Sequence, residues 1–191
     1  MMEIAGIPTQ RLYLGLLALV AVQRLNELRI AARHRRSLLA HGGREFGSGH
    51  YPWMVVLHAS FLLACACEVV YFDRRFIPVL AVPMFGLLIG AGALRAWVMR
   101  TLGERWTTRV IVVSGWPRVE SGPYRFMRHP NYLAVVVELI ALPLIHTAWV
   151  TALVWSALNA MLLRRRIRIE EAALRTPAPG DPPADMEALI R

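Results

Sequence analysis

The sequence predicts an all-α integral membrane protein with about five transmembrane helices, and three observations carry that expectation. Its 191 residues are 56% hydrophobic, more apolar surface than an ordinary domain of this size can hide. The apolar residues come in long blocks and not in alternating faces. All 22 basic residues are arginine, and they cluster between the blocks, where the bias toward cytoplasmic Lys and Arg puts them. A net charge of +9 also suggests nucleic acid. A phosphate-tracking surface, however, spreads its basic residues over one folded face among stacking aromatics. No nucleic-acid partner is expected here.

The first span is expected over residues 7–23. Arg11 lies near its start, where a long arginine stem reaches back to the interface. No helix breaker follows, so one long helix continues through Arg24, Arg29 and Arg33 to Arg36. His41 to Gly49 is glycine-rich and aperiodic, and reads as a loop. It is not a phosphate loop, because no GK[ST] follows and no strand precedes it. The second span covers 51–72, with His58 and Glu68 as its strongly polar members, and Asp73-Arg74-Arg75 closes it. Cys65 and Cys67, two apart on a helix, are apolar packing residues and not a disulfide. The third span covers 76–99 and holds Arg95. Its Gly86 and Gly90 have the small-xxx-small spacing that lets helices approach closely.

Residues 100–130 are polar. Thr107 to Val113 is β-prone, and turns are expected at Ser114-Gly115-Trp116-Pro117 and Ser121-Gly122-Pro123-Tyr124. Spans four and five, 131–146 and 147–163, are shorter than the usual 20 or so residues. They form a helical hairpin broken at His146-Thr147. Arg164 to Glu171 continues as helix. Residues 1–175 are read as one membrane domain, and 176–191 as a flexible Pro-rich tail.

With five spans, segments 24–50, 100–130 and 164–191 share one side and hold six arginines each. The other side holds Arg11, Arg74 and Arg75. The expected orientation therefore puts the N-terminus outside and the C-terminus in the cytoplasm.

Two segments on the arginine-rich side carry candidate chemistry. In Gly122-Pro123-Tyr124-Arg125-Phe126-Met127-Arg128-His129-Pro130-Asn131-Tyr132, Pro130 suits the first turn of a helix. It also pushes His129 toward extended backbone, where the ring can face a ligand. By itself the segment reads first as a juxtamembrane loop whose Arg, Tyr and His sit at the interface. In Arg164 to Leu174, Arg166 and Glu170 are four apart and share a helical face. Such a pair can bind a zwitterion, or can be an ordinary surface pair at the membrane edge. Glu68 and Glu138 are intramembrane carboxylates, which either function there or pair with Arg95 or His58. No Cys/His cluster has metal spacing, and no metal is expected.

Together, GPYRFMRHPNY, a short helical hairpin and RRRIRIEEAAL resemble the isoprenylcysteine carboxyl methyltransferase family over roughly residues 83–175. The resemblance implies a membrane methyltransferase with a cytosolic S-adenosylmethionine pocket formed by the C-terminal half. It implies that the cofactor is held by Trp116, Pro117, Arg118, Val119, Tyr124, His129, Pro130, Asn131, Tyr132 and Glu170. Arg166 is then placed toward the acceptor as the catalytic residue. The chain departs from the family pattern at Trp116, where a His is frequent, and at Arg109, where a Gln is frequent. Gly49 to Trp53 and Leu102 to Val110 look like the bacterial branch associated with type III polyketide synthases, which methylates hydroxyls of alkylpyrones or alkylresorcinols.

The implied reaction is O-methylation of a lipophilic small molecule at the bacterial cytoplasmic membrane, with membrane lipids as surroundings. An already activated methyl leaves the protein mainly to align the reactants and exclude water. Arg166 then stabilises a developing oxyanion. The alternatives are carboxyl methylation of an isoprenylcysteine, a sterol-type membrane reductase, for which no nicotinamide motif is visible, and a small transporter. Against the last stand the absence of internal repeats and the concentration of polar residues on one side.

Overall fold

The computed structural model describes residues 3–4 and 6–175. Its framework is five long helices: α1 (Thr9–Ala40), α2 (Tyr51–Tyr71), α3 (Pro78–Leu102), α4 (Pro130–Leu144) and α5 (Trp149–Arg175). The expected tail, 176–191, lies outside the described residues. Consecutive helices reverse direction. Gln10 donates to the Val69 carbonyl (3.1 Å) and Thr147 to that of Arg75 (2.6 Å) at one end. At the other end Tyr51 meets Thr108 (3.1 Å), and the His34 ring meets the Trp106 carbonyl (2.8 Å). That second end carries the arginine-rich segments.

The continuous helix expected from the first block onward is present as α1. Lacking an internal proline, it runs unbroken for 32 residues. Tyr13, Leu17 and Val20 fall on one face of α1 and meet Phe61, Cys65 and Val69 of α2 and Leu139 and Leu142 of α4 in the main core. Both cysteines are free. Among the described residues two helices, Tyr51–Tyr71 and Pro78–Arg105, are long and apolar enough to cross a membrane, and α4 is apolar but shorter. Their outer faces leave Leu63, Val79, Val82 and Ile89 more than half exposed. An apolar surface this extensive belongs in lipid and not in water.

Three expectations need correction. The chain is not purely helical: Glu3–Ile4 (β1) pairs with Ile7–Pro8 (β2), and Arg44–Phe46 (β3) pairs antiparallel with Val110–Val112 (β4). Of the β-prone run at 107–113 only Val110–Val112 is a strand, and the glycine-rich loop supplies its partner. Gly43 makes this possible, since a Cβ there would lie 2.6 Å from the Leu38 carbonyl oxygen and 2.9 Å from Ile111. The span bounds also shift. α1 begins only at Thr9, because Ile7–Pro8 is extended, and the hairpin turn runs from Ile145 to Ala148. Gly86 and Gly90 face open space, so their spacing serves no helix contact among the described residues.

The hairpin break expected at His146-Thr147 is buried. Thr147 adopts a left-handed φ of 54°, unusual for a β-branched residue, and its hydroxyl bond to Arg75 holds it there.

Glu68 and Glu138 have separate partners. Glu68 accepts the backbone N–H groups of Val150 (3.1 Å) and Thr151 (2.6 Å) and the Thr151 hydroxyl (2.7 Å). It thus caps α5 from another helix, and Arg74 balances its charge at 2.7 Å. Of the two pairings expected for these carboxylates, only that of Glu138 with Arg95 forms, at 2.6 Å. Glu138 also meets Arg24, which bonds Glu27 one turn along α1. Two arginines and two glutamates thus form a neutral quartet joining α1, α3 and α4. His58 donates instead to the Met54 carbonyl (2.7 Å).

Candidate functional site

At the arginine-rich end a cavity of about 420 Å³ lies between β4, the segment following it, the start of α4 and the last turns of α5. Its size suits a small-molecule ligand. Its walls are built locally. Gly103 and Trp106 turn the chain out of α3, and the buried Trp106 ring packs against Ala31 and Val98. β4 then carries the chain back beside β3. Gly115, at φ +75°, makes the turn that sets Trp116, Pro117, Arg118 and Val119 along the rim. Arg105 fixes that turn, donating to the Pro117 carbonyl (2.6 Å) with its guanidinium 4.7 Å above the Trp116 ring. Gly122, at φ +59°, opens a tight 3₁₀ turn that brings Tyr124 inward.

Pro130 starts α4, as its missing N–H favours. The backbone of His129 before it is extended in φ, at −132°. The His129 ring consequently stacks on Tyr132, centroids 5.3 Å apart and planes 20° from parallel. The Tyr132 hydroxyl is the hub of the site. It donates to a Glu170 carboxylate oxygen and accepts from Arg166 Nε at 2.8 Å. Arg166 is buried; its Nη1 donates to the Thr108 carbonyl (2.7 Å) and contacts Met54 Sδ (3.3 Å). One guanidinium thus ties α5 to α4, to the approach to β4 and to the first turn of α2.

Charge around the cavity is arranged unevenly. His129 Nδ1 is 3.9 Å from Glu170, and its Nε2 is 3.5 Å from Glu171 without hydrogen-bond geometry. Burial, with a smaller push from the Glu170 charge, raises the Tyr124 hydroxyl to about 12, so it stays a donor at neutral pH. Beside the cavity, Glu45 bonds Arg109 and Arg35, and Arg109 sits 4.0 Å over the Tyr51 ring. Burial alone would raise the Glu45 carboxyl, but the hydrogen bonds from Arg109 and Arg35 outweigh it and hold the carboxyl below its ordinary value.

Of the residues singled out from sequence, Trp116, Pro117, Arg118, Val119, Tyr124, His129, Asn131, Tyr132, Arg166 and Glu170 all line this one cavity. Pro130 does not; it is fully buried and acts by starting the helix. Arg166 and Glu170 do share a face, and Tyr132 bridges them. Sequence reasoning missed the two groups that hold Arg166, Thr108 and Met54, and missed Phe46 and Arg105 in the wall. Nothing in an apolar run marks Met54 as special, and Thr108 acts through its backbone carbonyl, which side-chain pattern does not reveal.

Two buried polar atoms at the cavity, Asn131 Oδ1 and His129 Nε2, have no hydrogen-bond partner among the described residues. Groups left in this way mark where a ligand completes the site.

Residues 84–176 match the model of the isoprenylcysteine carboxyl methyltransferase family. The protein YpbQ of Bacillus subtilis (strain 168), itself uncharacterised, is 35% identical over 164 residues, 84% of this chain and 95% of that protein. An uncharacterised protein of Haemophilus influenzae (strain ATCC 51907 / DSM 11121 / KW20 / Rd) is 30% identical over 160 residues, covering 82% and 91% respectively. No solved structure matches.

Proposed function

The chain belongs to the isoprenylcysteine carboxyl methyltransferase family, and from that premise we propose that it transfers a methyl group from S-adenosylmethionine to a hydroxyl of a lipophilic small molecule. The observation that carries this reading is the Arg166–Tyr132–Glu170 chain of hydrogen bonds facing one cavity.

The residues present fit the cofactor. When bound, S-adenosylmethionine supplies an electrophilic sulfonium methyl. Glu170 would hold its cationic amino group, since a carboxylate at this position meets a donor with a charge-assisted bond. Asn131 Oδ1 is an acceptor without a partner, open to an N–H group of the cofactor. Tyr124 offers an aromatic face, which favours a nearby cation.

Arg166 would face the acceptor oxygen. Its Nε and Nη1 are bound to protein, which fixes the guanidinium plane without asking the ligand to order it. A phenol or enol close to ionisation at neutral pH can lose its proton to water. The protein then needs no dedicated base, and Glu170, committed to Tyr132, is a poor candidate for one.

The deciding experiment is an assay of purified protein with methyl-labelled S-adenosylmethionine against alkylpyrones, alkylresorcinols and prenylcysteines. Label is expected in an alkylpyrone or alkylresorcinol ether. Label only in a prenylcysteine ester would reassign the acceptor, and no transfer together with no cofactor binding would sink the reading. The proposal places five spans in the bacterial cytoplasmic membrane, with the N-terminus outside and the cavity on the cytoplasmic side. The gathering of arginine-rich segments at the cavity end supports this. A reporter fused to the C-terminus and active only outside that membrane would reverse it.

A further inference from the structure

Beside the candidate-site cavity, and sharing the wall formed by Arg118, Val119, Tyr124 and Arg128, lies a more open depression of about 520 Å³. Arg125 and Glu120 complete its lining. Arg118, Arg125 and Arg128 are all exposed, and among the described residues none of them has a hydrogen-bond or ion-pair partner. Most arginines near the site are spoken for: Arg35 and Arg109 by Glu45, Arg105 by Pro117, and Arg166 by Tyr132 and Thr108. Three unpaired guanidinium groups around one hollow, opposed only by Glu120, make a site that lacks its anion.

The aromatic neighbours say which anion. Phe126, between Arg125 and Arg128 in sequence, is 74% exposed. Its ring meets that of Trp97 on α3 at 6.3 Å, and Trp97 is itself 44% exposed. An exposed Trp–Phe pair at the end of an apolar helix is the composition of a membrane interface, where rings sit at the level of lipid headgroups. Arginines beside it stand where lipid phosphates are. A free phosphate would use the arginines and leave the rings in water. A phospholipid uses both.

We propose that the depression binds the headgroup of an anionic phospholipid, its phosphodiester on Arg118, Arg125 and Arg128 and its acyl chains against Phe126 and Trp97. The neutral phosphatidylcholine headgroup carries a trimethylammonium that these arginines repel, so the site discriminates by charge.

The test is native mass spectrometry of the full-length, detergent-purified chain, titrated with phosphatidylglycerol or with phosphatidylcholine of the same acyl composition. The anionic lipid is expected to bind at least about fivefold more tightly. Arg125→Gln, at a residue outside the candidate-site cavity, should reduce that preference below about twofold, whereas Arg125→Lys and Arg11→Gln, at the opposite end of the bundle, should keep it. Should Arg125→Gln not fold, the wild-type preference itself decides, since it should collapse when salt is raised from about 0.05 to 0.5 M. Equal binding of the two lipids, a preference that survives Arg125→Gln, or one insensitive to salt each overturns the proposal. So does complete displacement of the lipid by an equal concentration of glycerol phosphate, which would make the site one for free anions.

Discussion

Tyr132 turns three separate side chains into one unit. Arg166 and Glu170 lie one turn apart on α5, and without the phenol between them they would be two independent charges. Glu170→Ala is expected to raise the cofactor KM roughly tenfold or more, as loss of a charge-assisted contact worth about 1.5–3 kcal/mol implies. Arg166→Ala should chiefly lower kcat while cofactor binding survives. Because both charges bond the same hydroxyl, Tyr132→Phe should raise the cofactor KM and lower kcat, and its effect should not add to that of Glu170→Gln. Steady-state kinetics with isothermal binding settles this. Wild-type kinetics for both single variants, or lost cofactor binding in Arg166→Ala alone, would refute the assignment of roles.

Elements meet through carboxylates that each serve two partners, and these make stability measurable element by element. Glu45 pins the β3–β4 ribbon to α1 through Arg35 and to the cavity wall through Arg109. Its carboxyl is held below its ordinary value of 4.5. The stability it contributes is therefore complete above that value and lost as pH falls through the lowered one. The difference in Tm between wild type and Glu45→Gln should be greatest near neutrality and shrink in acid; a gap that grows on acidification would contradict the pairing. Glu68 caps α5 from α2, and Glu68→Gln keeps the shape while removing the charge. It should cost about 2 kcal/mol, read as a lower Tm in detergent.

These elements also show what the sequence can and cannot reveal. The helices, the hairpin break and the turns at Gly115 and Gly122 were legible, because block length, proline and glycine act locally. So was one wall of the cavity, since HPNY and the Arg166–Glu170 spacing fall on short, regular segments, whereas Phe46 and Arg105 of the opposite wall carry no such pattern. β3 was not legible. Arg44–Phe46 has no strand signature of its own, and only contact with Val110–Val112 makes it one. The capping of α5 by Glu68 spans more than 80 residues of sequence, and no local pattern announces it.

At the scale of the whole molecule, the Arg24–Glu27–Arg95–Glu138 quartet bears on how the chain is made. A nascent membrane protein is delivered to the bilayer from its N-terminus, one segment at a time. When α3 emerges, Arg95 has only Glu27 within reach, at 3.8 Å, and Arg24 competes for that same carboxylate. Glu138, the closest partner of Arg95, arrives with α4 after a further 43 residues. Until then one guanidinium in the last third of α3 is left without a counter-charge, at up to the roughly 2.5–3.5 kcal/mol cost that a charge at a helix centre carries on insertion scales. Integration of α3 should therefore await α4, so that the two enter lipid together. A chain ending after Met127 should be poorly integrated and rapidly degraded, and Arg95→Leu should restore it several-fold in pulse-chase labelling of membranes. If the truncated chain is equally stable with and without Arg95, the helices enter independently and the quartet forms only afterwards.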